Sequence, residues 1–210
     1  MPVYKLIYFD ARGRGEMIRL AFAAAGVKYE DCRVTGEEFK ELKASGIVPF
    51  DQLPILDVDG KILAKSATIC KYVARETGFA PTESFEVAKA DMIVDGLDDL
   101  MDKLVKYYRE KNEETKQKLF KEFYENHLPH ALGIFEKLLK SRGGKYFADN
   151  KLTYADIIFF SYIEMFENLN KGPSASPILD NYPALKDLTS TVSSNPGIKK
   201  WLSERPDTTF

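Results

Sequence analysis

The fold is decided by residues 3–34, which read VYKLIYFDARGRGEMIRLAFAAAGVKYEDCRV. A mostly apolar run predicts a strand over Val3–Phe9, and apolar residues at helical spacing predict a helix over Glu16–Ala25. Lys28–Val34 is predicted to form a second strand. A strand, a helix and a strand in this order indicate a βαβ crossover, which is right-handed in nearly all proteins.

The next segment predicts a short helix, a hairpin and a third helix. Glu37–Ala44 has the pattern of a short helix. The predicted strands Ile55–Val58 and Lys61–Ala64 flank Asp59-Gly60, a dipeptide that tolerates the positive φ angles of a two-residue turn. Ser66 is predicted to cap the helix that follows it. The order βαβ and then ββα predicts an α/β domain of thioredoxin-like type with a mixed four-stranded sheet.

The two parts of the chain differ in pattern. Residues 1–78 mix strand and helix patterns, whereas residues 85–210 carry helical patterns almost throughout. Gly78-Phe79-Ala80-Pro81-Thr82 is predicted to link them, because glycine suits the end of a helix and proline prevents its continuation. We therefore expect a thioredoxin-like N-terminal domain and an all-α C-terminal helical domain. Helices of the second domain are predicted near residues 85–110, 114–140, 153–169, 183–194 and 196–203.

The predicted helix at 153–169 has two marked features. It begins with Thr153-Tyr154-Ala155-Asp156, in which the threonine and the aspartate are spaced as in a capping box. The apolar run Ile157-Ile158-Phe159-Phe160 that follows predicts a helix buried on most of its sides.

The composition excludes several classes of protein. The chain has 210 residues, of which 44% are hydrophobic and 30% are charged, as in ordinary globular proteins. Its net charge of −2 argues against general attraction to nucleic acid or to an anionic membrane. No stretch is apolar enough to span a bilayer, and the N-terminus has no signal-peptide core. Cys32 and Cys70 are predicted to be buried, reduced thiols in a cytoplasmic protein, although a secreted disulfide is the alternative.

Three places in the first half could bind a ligand. Tyr8 ends a strand just before a helix, at the edge where α/β proteins bind ligands, although it also has the pattern of an ordinary half-buried aromatic. Leu53-Pro54, if its bond were cis, would expose backbone groups to an extended peptide, but X-Pro bonds are usually trans. Lys65-Ser66 opens a helix whose N–H groups favour a carboxylate, and Ser66 serves equally well as a simple cap.

An acidic face on the first long helix allows three interpretations. Asp91, Asp95, Asp98 and Asp102 share one face of this helix, and Asp99 lies beside them. The face is either solvated, or part of a subunit interface that supplies a carboxylate, or a site for a divalent cation at Asp95, Asp98 and Asp99. We expect no obligatory metal.

Other catalytic patterns are missing from the sequence. His127 and His130 are three residues apart on a predicted helix, but no third zinc ligand lies near them in the sequence. There is no G-x-S-x-G motif, and Gly13-Arg14-Gly15 is too short for either glycine-rich phosphate loop.

Taken together, these segments resemble the cytosolic glutathione S-transferases, specifically the sigma class, over essentially the whole chain. That class also includes the glutathione-dependent prostaglandin D synthase of haematopoietic cells. The order and spacing of the segments make the resemblance specific. They are Tyr8-Phe9-Asp10-Ala11-Arg12-Gly13-Arg14-Gly15-Glu16, Leu53-Pro54-Ile55-Leu56-Asp57-Val58-Asp59-Gly60, Lys65-Ser66-Ala67-Thr68-Ile69, Val94-Asp95-Gly96-Leu97-Asp98-Asp99 and Leu152-Thr153-Tyr154-Ala155-Asp156.

The resemblance implies a homodimer in which residues 1–78 bind glutathione as co-substrate and residues 85–210 line the pocket for an electrophile. Tyr8 would donate a hydrogen bond to the glutathione sulfur, and Arg14 would support it electrostatically. The other glutathione contacts implied are Phe39, Lys43, Gln52, Leu53, Pro54, Lys65, Ser66 and, from the partner subunit, Asp99. Two positions depart from the class, since Phe39 replaces the usual tryptophan and Lys65 replaces the usual glutamine. We expect both changes to alter the affinity for glutathione rather than the reaction.

The expected reaction is conjugation of glutathione thiolate to hydrophobic electrophiles, with peroxide reduction as a further activity. The alternatives are isomerisation of prostaglandin H₂ to the D form, non-catalytic carriage of haem or other apolar ligands, and a purely structural relative. Retention of Tyr8 and of the glutathione contacts argues against the last. The expected walls of the electrophile pocket are Phe9, Arg12, Met101, Leu104, Tyr108, Phe160 and Phe210.

Overall fold

The computed structural model of the chain describes residues 2–170 and 177–208. The N-terminal domain contains one four-stranded mixed sheet in the order β2-β1-β3-β4. Strand β1 is parallel to β2 and antiparallel to β3, and β3 is antiparallel to β4. The strands are β1 (Tyr4–Phe9), β2 (Glu30–Val34), β3 (Ile55–Val58) and β4 (Lys61–Ala64). The thioredoxin-like prediction is confirmed, with β1 and β2 each beginning slightly later than the sequence indicated.

Three helices cover the two faces of this sheet. They are α1 (Glu16–Ala25), α2 (Gly36–Ala44) and α3 (Ser66–Thr77). Leu6 and Leu56, which face each other across β1 and β3, belong to the same core as α1 and α3. The adjacent pair Ile7 and Ile55 points to the opposite face and packs in a second core with Phe39 of α2. The alternation of side chains along a strand therefore places one helix layer on each face.

The C-terminal domain is helical, as predicted. Its helices are α4 (Ser84–Arg109), α5 (Glu113–Glu122), α6 (Leu128–Lys140), α7 (Tyr154–Leu169), α8 (Pro183–Ser193) and α9 (Pro196–Glu204). The predicted burial of α7 is confirmed, since Ile157, Ile158, Phe159 and Phe160 are all at most 6% exposed. Among the described residues, no helix is long and apolar enough to cross a membrane.

The predicted helix at 114–140 contains a turn that the sequence analysis did not foresee. Residues 123–127 form a π-helical turn between α5 and α6, in which the Leu128 N–H bonds to the Phe123 carbonyl. Pro129 follows at once, has no N–H for the carbonyl four residues earlier, and its ring would clash with that carbonyl in a regular helix. The wider turn therefore accommodates the proline without ending the helix.

Two predictions about helix starts have opposite outcomes. Asp156 is fully buried, and its carboxylate accepts hydrogen bonds from the Thr153 N–H at 2.8 Å, the Thr153 hydroxyl at 2.9 Å and the Phe147 N–H at 2.9 Å. The predicted hydrogen bond in which the Asp156 carboxylate reaches back to the Thr153 N–H is therefore confirmed.

The prediction that Ser66 caps α3 is wrong, because Lys65 is the cap residue and Ser66 is the first residue of the helix. Only Lys65 separates β4 from α3, and it makes the turn with a φ of 72°.

The two cysteines are free, but they differ in burial. Cys70 on α3 is fully buried in the main core, as predicted. Cys32 is partly exposed, because it lies on β2, a strand at the edge of the sheet. The expectation of two buried thiols is therefore correct only for Cys70.

The two domains meet where α1 packs against α7 and α9. Glu16, which is 3% exposed, accepts hydrogen bonds on Oε1 from Trp201 Nε1 at 2.8 Å and from Arg205 Nη1 at 2.9 Å. Arg205 also pairs with Glu164 of α7, with 2.8 Å between Nη2 and Oε1. One buried carboxylate thus joins the first helix of the sheet domain to two helices of the other domain.

The approach of α9 to α1 depends on Gly197. A Cβ atom at this position would lie 1.8 Å from the carbonyl oxygen of Ala23 on α1. Backbone atoms of α1 cannot move aside as a flexible side chain would, so any larger residue must displace α9.

We predict that Gly197→Ala lowers the free energy of unfolding by about 2 kcal/mol or more, because overpacking separates α9 from α1. The matched control is Gly133→Ala in α6, where a Cβ would have no heavy atom within 4 Å. This control should gain about 0.5–1 kcal/mol from better helix propensity. Urea unfolding followed by circular dichroism measures both, and equal gains in the two variants would contradict the packing account.

Candidate functional site

Tyr8 lies near the end of β1, and its hydroxyl is already engaged on one side. The Arg14 N–H donates a hydrogen bond to Tyr8 Oη at 3.1 Å. A phenol donates one hydrogen bond and can also accept, so the amide leaves the phenolic proton available for another group. Burial raises the pKa of Tyr8, and the Arg14 amide and the Arg19 charge oppose this only in part. Tyr8 is therefore a protonated donor at neutral pH, as the sequence analysis expected.

The turn that carries this amide packs directly on the tyrosine ring. Residues Gly13–Gly15 form a 3₁₀ turn between β1 and α1. A Cβ on Gly13 would lie 2.7 Å from Tyr8 Oη, and one on Gly15 would lie 2.6 Å from the Cδ1 atom of the same ring. The sequence indicated only that the two glycines do not form a phosphate loop, and this packing role was not predicted. Two glycines soon after a strand aromatic were the available signal.

A cavity with both polar and apolar walls adjoins Arg14, whose amide bonds to Tyr8, and most of the predicted glutathione contacts line it. Arg14 is half-buried here, and its guanidinium makes no hydrogen bond or ion pair within the described ranges. The positive charge is therefore available to a ligand. The lining residues are Arg14, Phe50, Gln52, Leu53, Pro54, Ala64, Lys65 and Ser66.

The Leu53–Pro54 peptide bond in this cavity is cis. The sequence alone favoured trans, since most X-Pro bonds are trans. Leu53 precedes β3 and lies outside the strand pairing, so its backbone groups are not used in the sheet. The edge of the cavity thus offers an N–H and a C=O that could pair with an extended peptide.

The part of the cavity lined by Lys65 and Ser66 is positively charged. Lys65 Nζ donates a hydrogen bond to Gln52 Oε1 at 3.2 Å and lies 4.4 Å from the centre of the Phe50 ring. Ser66 is 5% exposed and opens α3, whose first N–H groups have no partner within the helix. A cation and a helix N-terminus together favour an anionic group such as a carboxylate.

Phe39 and Lys43 lie on α2, away from the residues that line this cavity. Lys43 Nζ is 4.8 Å from the centre of the Phe39 ring. Phe39 meets Phe9 edge-on with 5.2 Å between centroids, and Phe9 meets Tyr8 in the same manner at 5.6 Å. Phe39 is thus linked to Tyr8 through Phe9, although Phe39 packs with Ile7 and Phe9 on one face of the sheet and Tyr8 points to the other.

The residues predicted for the electrophile pocket lie in different surroundings. Phe9 and Arg12 are half-buried near Tyr8, and Arg12 Nη2 donates to the Thr208 carbonyl at 2.7 Å. Tyr108 is 40% exposed, and Phe210 lies outside the described residues. The remaining three are buried in the main core, namely Met101, Leu104 and Phe160, at 5%, 0% and 6% exposure.

A second cavity lies between the domains, next to the turn that packs on Tyr8. Arg12, Gly13 and Glu16 line one side of it. The other side belongs to α7, with Ser161, Glu164, Met165, Asn168 and Leu169. The sequence analysis did not assign these residues of α7. A helix that is apolar on most sides has no periodicity to reveal which edge faces a cleft.

The acidic residues of α4 are divided between internal contacts and solvent. Asp98 accepts a hydrogen bond from the Tyr162 hydroxyl at 2.7 Å. Asp91 accepts one from the Tyr154 hydroxyl at 2.8 Å and pairs with Lys71. Asp95 and Asp99 are exposed. In the part of the chain that the structure describes, no group of three or more His, Cys, Asp or Glu side chains is arranged to hold a metal ion.

Comparison with known proteins gives consistent results over both domains. Residues 4–75 match the family model of the glutathione S-transferase N-terminal domain, and residues 98–205 match that of the C-terminal domain. The chain is 38% identical to hematopoietic prostaglandin D synthase of Gallus gallus, with 99% of each covered. It is 38% identical to glutathione S-transferase 1 of Ascaris suum, with 100% of each covered. The crystal structure of monomeric Na-GST-3, a glutathione S-transferase of the hookworm Necator americanus, has a TM-score of 0.86 at 36% identity, covering 99% of this chain and 100% of that one.

We predict that Gly13→Ala impairs the hydroxyl of Tyr8 without unfolding the protein. The new Cβ would press on Tyr8 Oη from a residue whose φ is +36°, so the turn or the ring must move. Turnover with glutathione, the co-substrate that the resemblance implies, should fall about tenfold or more, as expected for a misplaced reacting group. Steady-state kinetics measure this. Gly36→Ala, with open space around its Cβ, is the control and should have wild-type turnover. Wild-type turnover in Gly13→Ala as well would contradict the prediction.

Proposed function

The chain belongs to the glutathione S-transferase family, and we propose that Tyr8 activates glutathione as the thiolate that attacks hydrophobic electrophiles. One observation carries this proposal. The Arg14 amide donates to the Tyr8 hydroxyl, which leaves the phenolic proton free, and Arg14 also lines a cavity in which Lys65 and Ser66 suit an anionic peptide. A protonated phenol in that position stabilises a sulfur anion and does not act as a base.

The cavity has the chemistry that glutathione requires. Glutathione is a short peptide with two carboxylates, and we propose that Lys65 and Ser66 bind its γ-glutamyl carboxylate while the charge of Arg14 supports the sulfur. The backbone of Leu53 would pair with the cysteinyl residue, which brings the thiol towards Tyr8. Lys43 would meet the glycyl carboxylate. Lys65 and Lys43 thus provide one cation for each of the two carboxylates of the peptide, which supports this arrangement.

The energetic demand on Tyr8 is modest. An unperturbed cysteine thiol has a pKa of about 8.5, so only a few per cent is ionised near neutral pH. Lowering that pKa by about two units requires roughly 2.7 kcal/mol. A hydrogen bond to a charged group contributes about 1.5–3 kcal/mol, so the Tyr8 phenol with the nearby Arg14 charge can supply it.

The electrophile would enter between the domains. The cavity formed by Arg12, Gly13 and α7 lies next to the turn that packs on Tyr8, and its lining combines the apolar Met165 and Leu169 with polar side chains. We propose residues 1–78 as the glutathione-binding unit and residues 85–210 as the unit that shapes this electrophile pocket. The predicted wall residues Phe9, Met101, Leu104, Tyr108, Phe160 and Phe210 stay a prediction.

We further propose a sigma-class homodimer in the cytoplasm. The composition and the free cysteines support the location. A groove between α4 and α6 supports the dimer, because its apolar side chains Met92 and Ile134 are each 47% exposed and Asp99 lies beside them. A second copy on this groove would cover both apolar side chains and carry Asp99 towards the neighbouring glutathione site. The hookworm relative, which is described as monomeric, makes the oligomeric state a direct test.

The relatives named prostaglandin D synthase favour a second candidate, isomerisation of prostaglandin H₂ by the same thiolate. One assay panel separates the candidates, testing conjugation of chlorodinitrobenzene, reduction of a peroxide and prostaglandin isomerisation, each with and without magnesium. Conjugation faster than isomerisation supports the first candidate, and the reverse supports the second. No turnover in any assay, together with tight haem binding, would favour a carrier and contradict both.

We predict that Tyr8→Phe lowers conjugation at pH 6.5 by about 10- to 100-fold while the Kd for glutathione stays within about threefold. The variant loses one hydrogen bond to the thiolate, worth about 1.5–3 kcal/mol, and keeps the peptide contacts. Steady-state kinetics and calorimetry measure the two quantities. Tyr29→Phe is the control, because the Tyr29 hydroxyl is buried without a partner among the described residues. Equal turnover in Tyr8→Phe and in the wild type would reject the role of Tyr8.

We predict that Asp99→Asn raises the KM for glutathione several-fold and leaves kcat nearly unchanged, because the neighbouring carboxylate would meet the γ-glutamyl amine. Asp95→Asn, an exposed aspartate on the same helix, is the control and should behave as wild type. Analytical ultracentrifugation of the wild type should give the mass of a dimer. A monomer in which Asp99→Asn has no effect would contradict the shared site.

A further inference from the structure

Arg19 is a completely buried cation that the proposed reaction has not yet used. It lies on α1 with 0% exposure. Its Nε donates to Asp31 Oδ1 at 3.0 Å, and its Nη1 donates to the Ala11 carbonyl at 2.6 Å and lies 3.4 Å from Glu16 Oε2. Its Cζ lies 5.8 Å from the centre of the Tyr8 ring. A group of this kind needs an explanation, because burying a charge is costly unless its contacts compensate.

We propose that Arg19 is a positioning residue for Tyr8, holding the loop that supplies the Arg14 amide and placing a positive charge on the inner side of the tyrosine ring. This inference rests on the proposed function and deepens it. It assigns the strength of the Tyr8 hydrogen bond to a residue that does not touch glutathione.

Arg19 holds the loop between β1 and α1 in position. The Ala11 carbonyl that Arg19 holds lies three residues before the amide of Arg14, which donates to Tyr8 Oη. The Ala11 N–H bonds to the Phe9 carbonyl at 2.7 Å, and the Glu16 N–H bonds to the Arg12 carbonyl at 2.9 Å. Both ends of the loop are therefore tied to regular elements, and the Arg19 side chain adds a further bond at the Ala11 carbonyl.

The charge of Arg19 also acts on the ring of Tyr8. A cation within about 6 Å of an aromatic centroid interacts with the ring, and more strongly when water is excluded. The Arg19 charge opposes the effect of burial on the pKa of Tyr8, so it makes the phenol a better donor. The charged groups around the pair are Arg14 on the 3₁₀ turn, Glu16 on α1, Asp31 and Arg33 on β2, and Arg205 just after α9.

The removal of Arg19 would therefore act twice on the thiol. The loop would lose its anchor, and the carboxylates of Glu16 and Asp31 would lose a positive partner close to Tyr8. Both changes disfavour a further negative charge on the glutathione sulfur, so the pKa of the bound thiol must rise. Arg19 uses Nε and Nη1 for these contacts, while Nη2 has no partner among the described residues. Lysine keeps the charge, but its single nitrogen cannot occupy the positions of both Nε and Nη1.

The test compares Arg19→Gln, Arg19→Lys and Asp31→Asn in the full chain, by the pH dependence of kcat at saturating glutathione. Arg19→Gln should raise the apparent pKa by about half a unit or more, a threefold loss of thiolate below that pKa, with the Kd for glutathione within about threefold. Arg19→Lys should shift the pKa less and lower kcat. Asp31→Asn removes a partner of Arg19 and a nearby negative charge but keeps the charge of Arg19, so it should lower Tm and should not raise the apparent pKa.

Two results would overturn the inference, namely a wild-type pH profile in Arg19→Gln or equal pKa shifts in Arg19→Gln and Asp31→Asn. If Arg19→Gln does not fold, Arg19→Lys decides, since wild-type kcat in that variant overturns the inference and reduced kcat at unchanged KM for glutathione supports it. In a Tyr8→Phe background, Arg19→Lys should have no further effect on kcat. If Tyr8→Phe alone had wild-type turnover, the proposed function would fail first, so the two failures are distinguishable.

Discussion

The hydrogen bond from the Arg14 amide to the Tyr8 hydroxyl is the contact on which the rest of the site depends. It takes the acceptor side of the phenol and thereby leaves the phenolic proton available to another group. Gly13 makes the contact possible, because a Cβ there would collide with the hydroxyl. Burial keeps the tyrosine protonated. The end of β1, the 3₁₀ turn and the burial of the ring thus together keep Tyr8 protonated and its hydroxyl fixed.

Helix α1 supports this arrangement from two directions. Its buried Arg19 binds the loop before the helix, and its buried Glu16 binds Trp201 and Arg205 of the other domain. Gly197 allows α9 to lie against α1 at backbone distance. The helical domain therefore rests on the same helix that follows the Tyr8 turn, so the cavity between the domains lies next to that turn.

The sequence predicted much of this because period-2 and period-3.6 patterns report burial directly. The βαβ unit, the Asp59-Gly60 hairpin and the buried helix α7 follow from such patterns. The cap at Lys65 does not, since it depends on the one-residue connection between β4 and α3. The cis bond at Pro54 does not either, because the residues around a proline in the sequence do not fix its isomer. The contacts of Gly13 and Arg19 with the Tyr8 ring were also missed, because packing of a turn and of a helix face on one side chain leaves no periodic signal.

The most direct test of the account is the ionisation of glutathione bound to the wild-type enzyme. The thiolate has its own ultraviolet absorption band, so a difference spectrum recorded across pH gives the pKa of the bound thiol. The account predicts a midpoint about two units below the value of about 8.5 for a free cysteine thiol. A bound thiol that titrates as it does in free solution would contradict the claim that Tyr8 stabilises the thiolate.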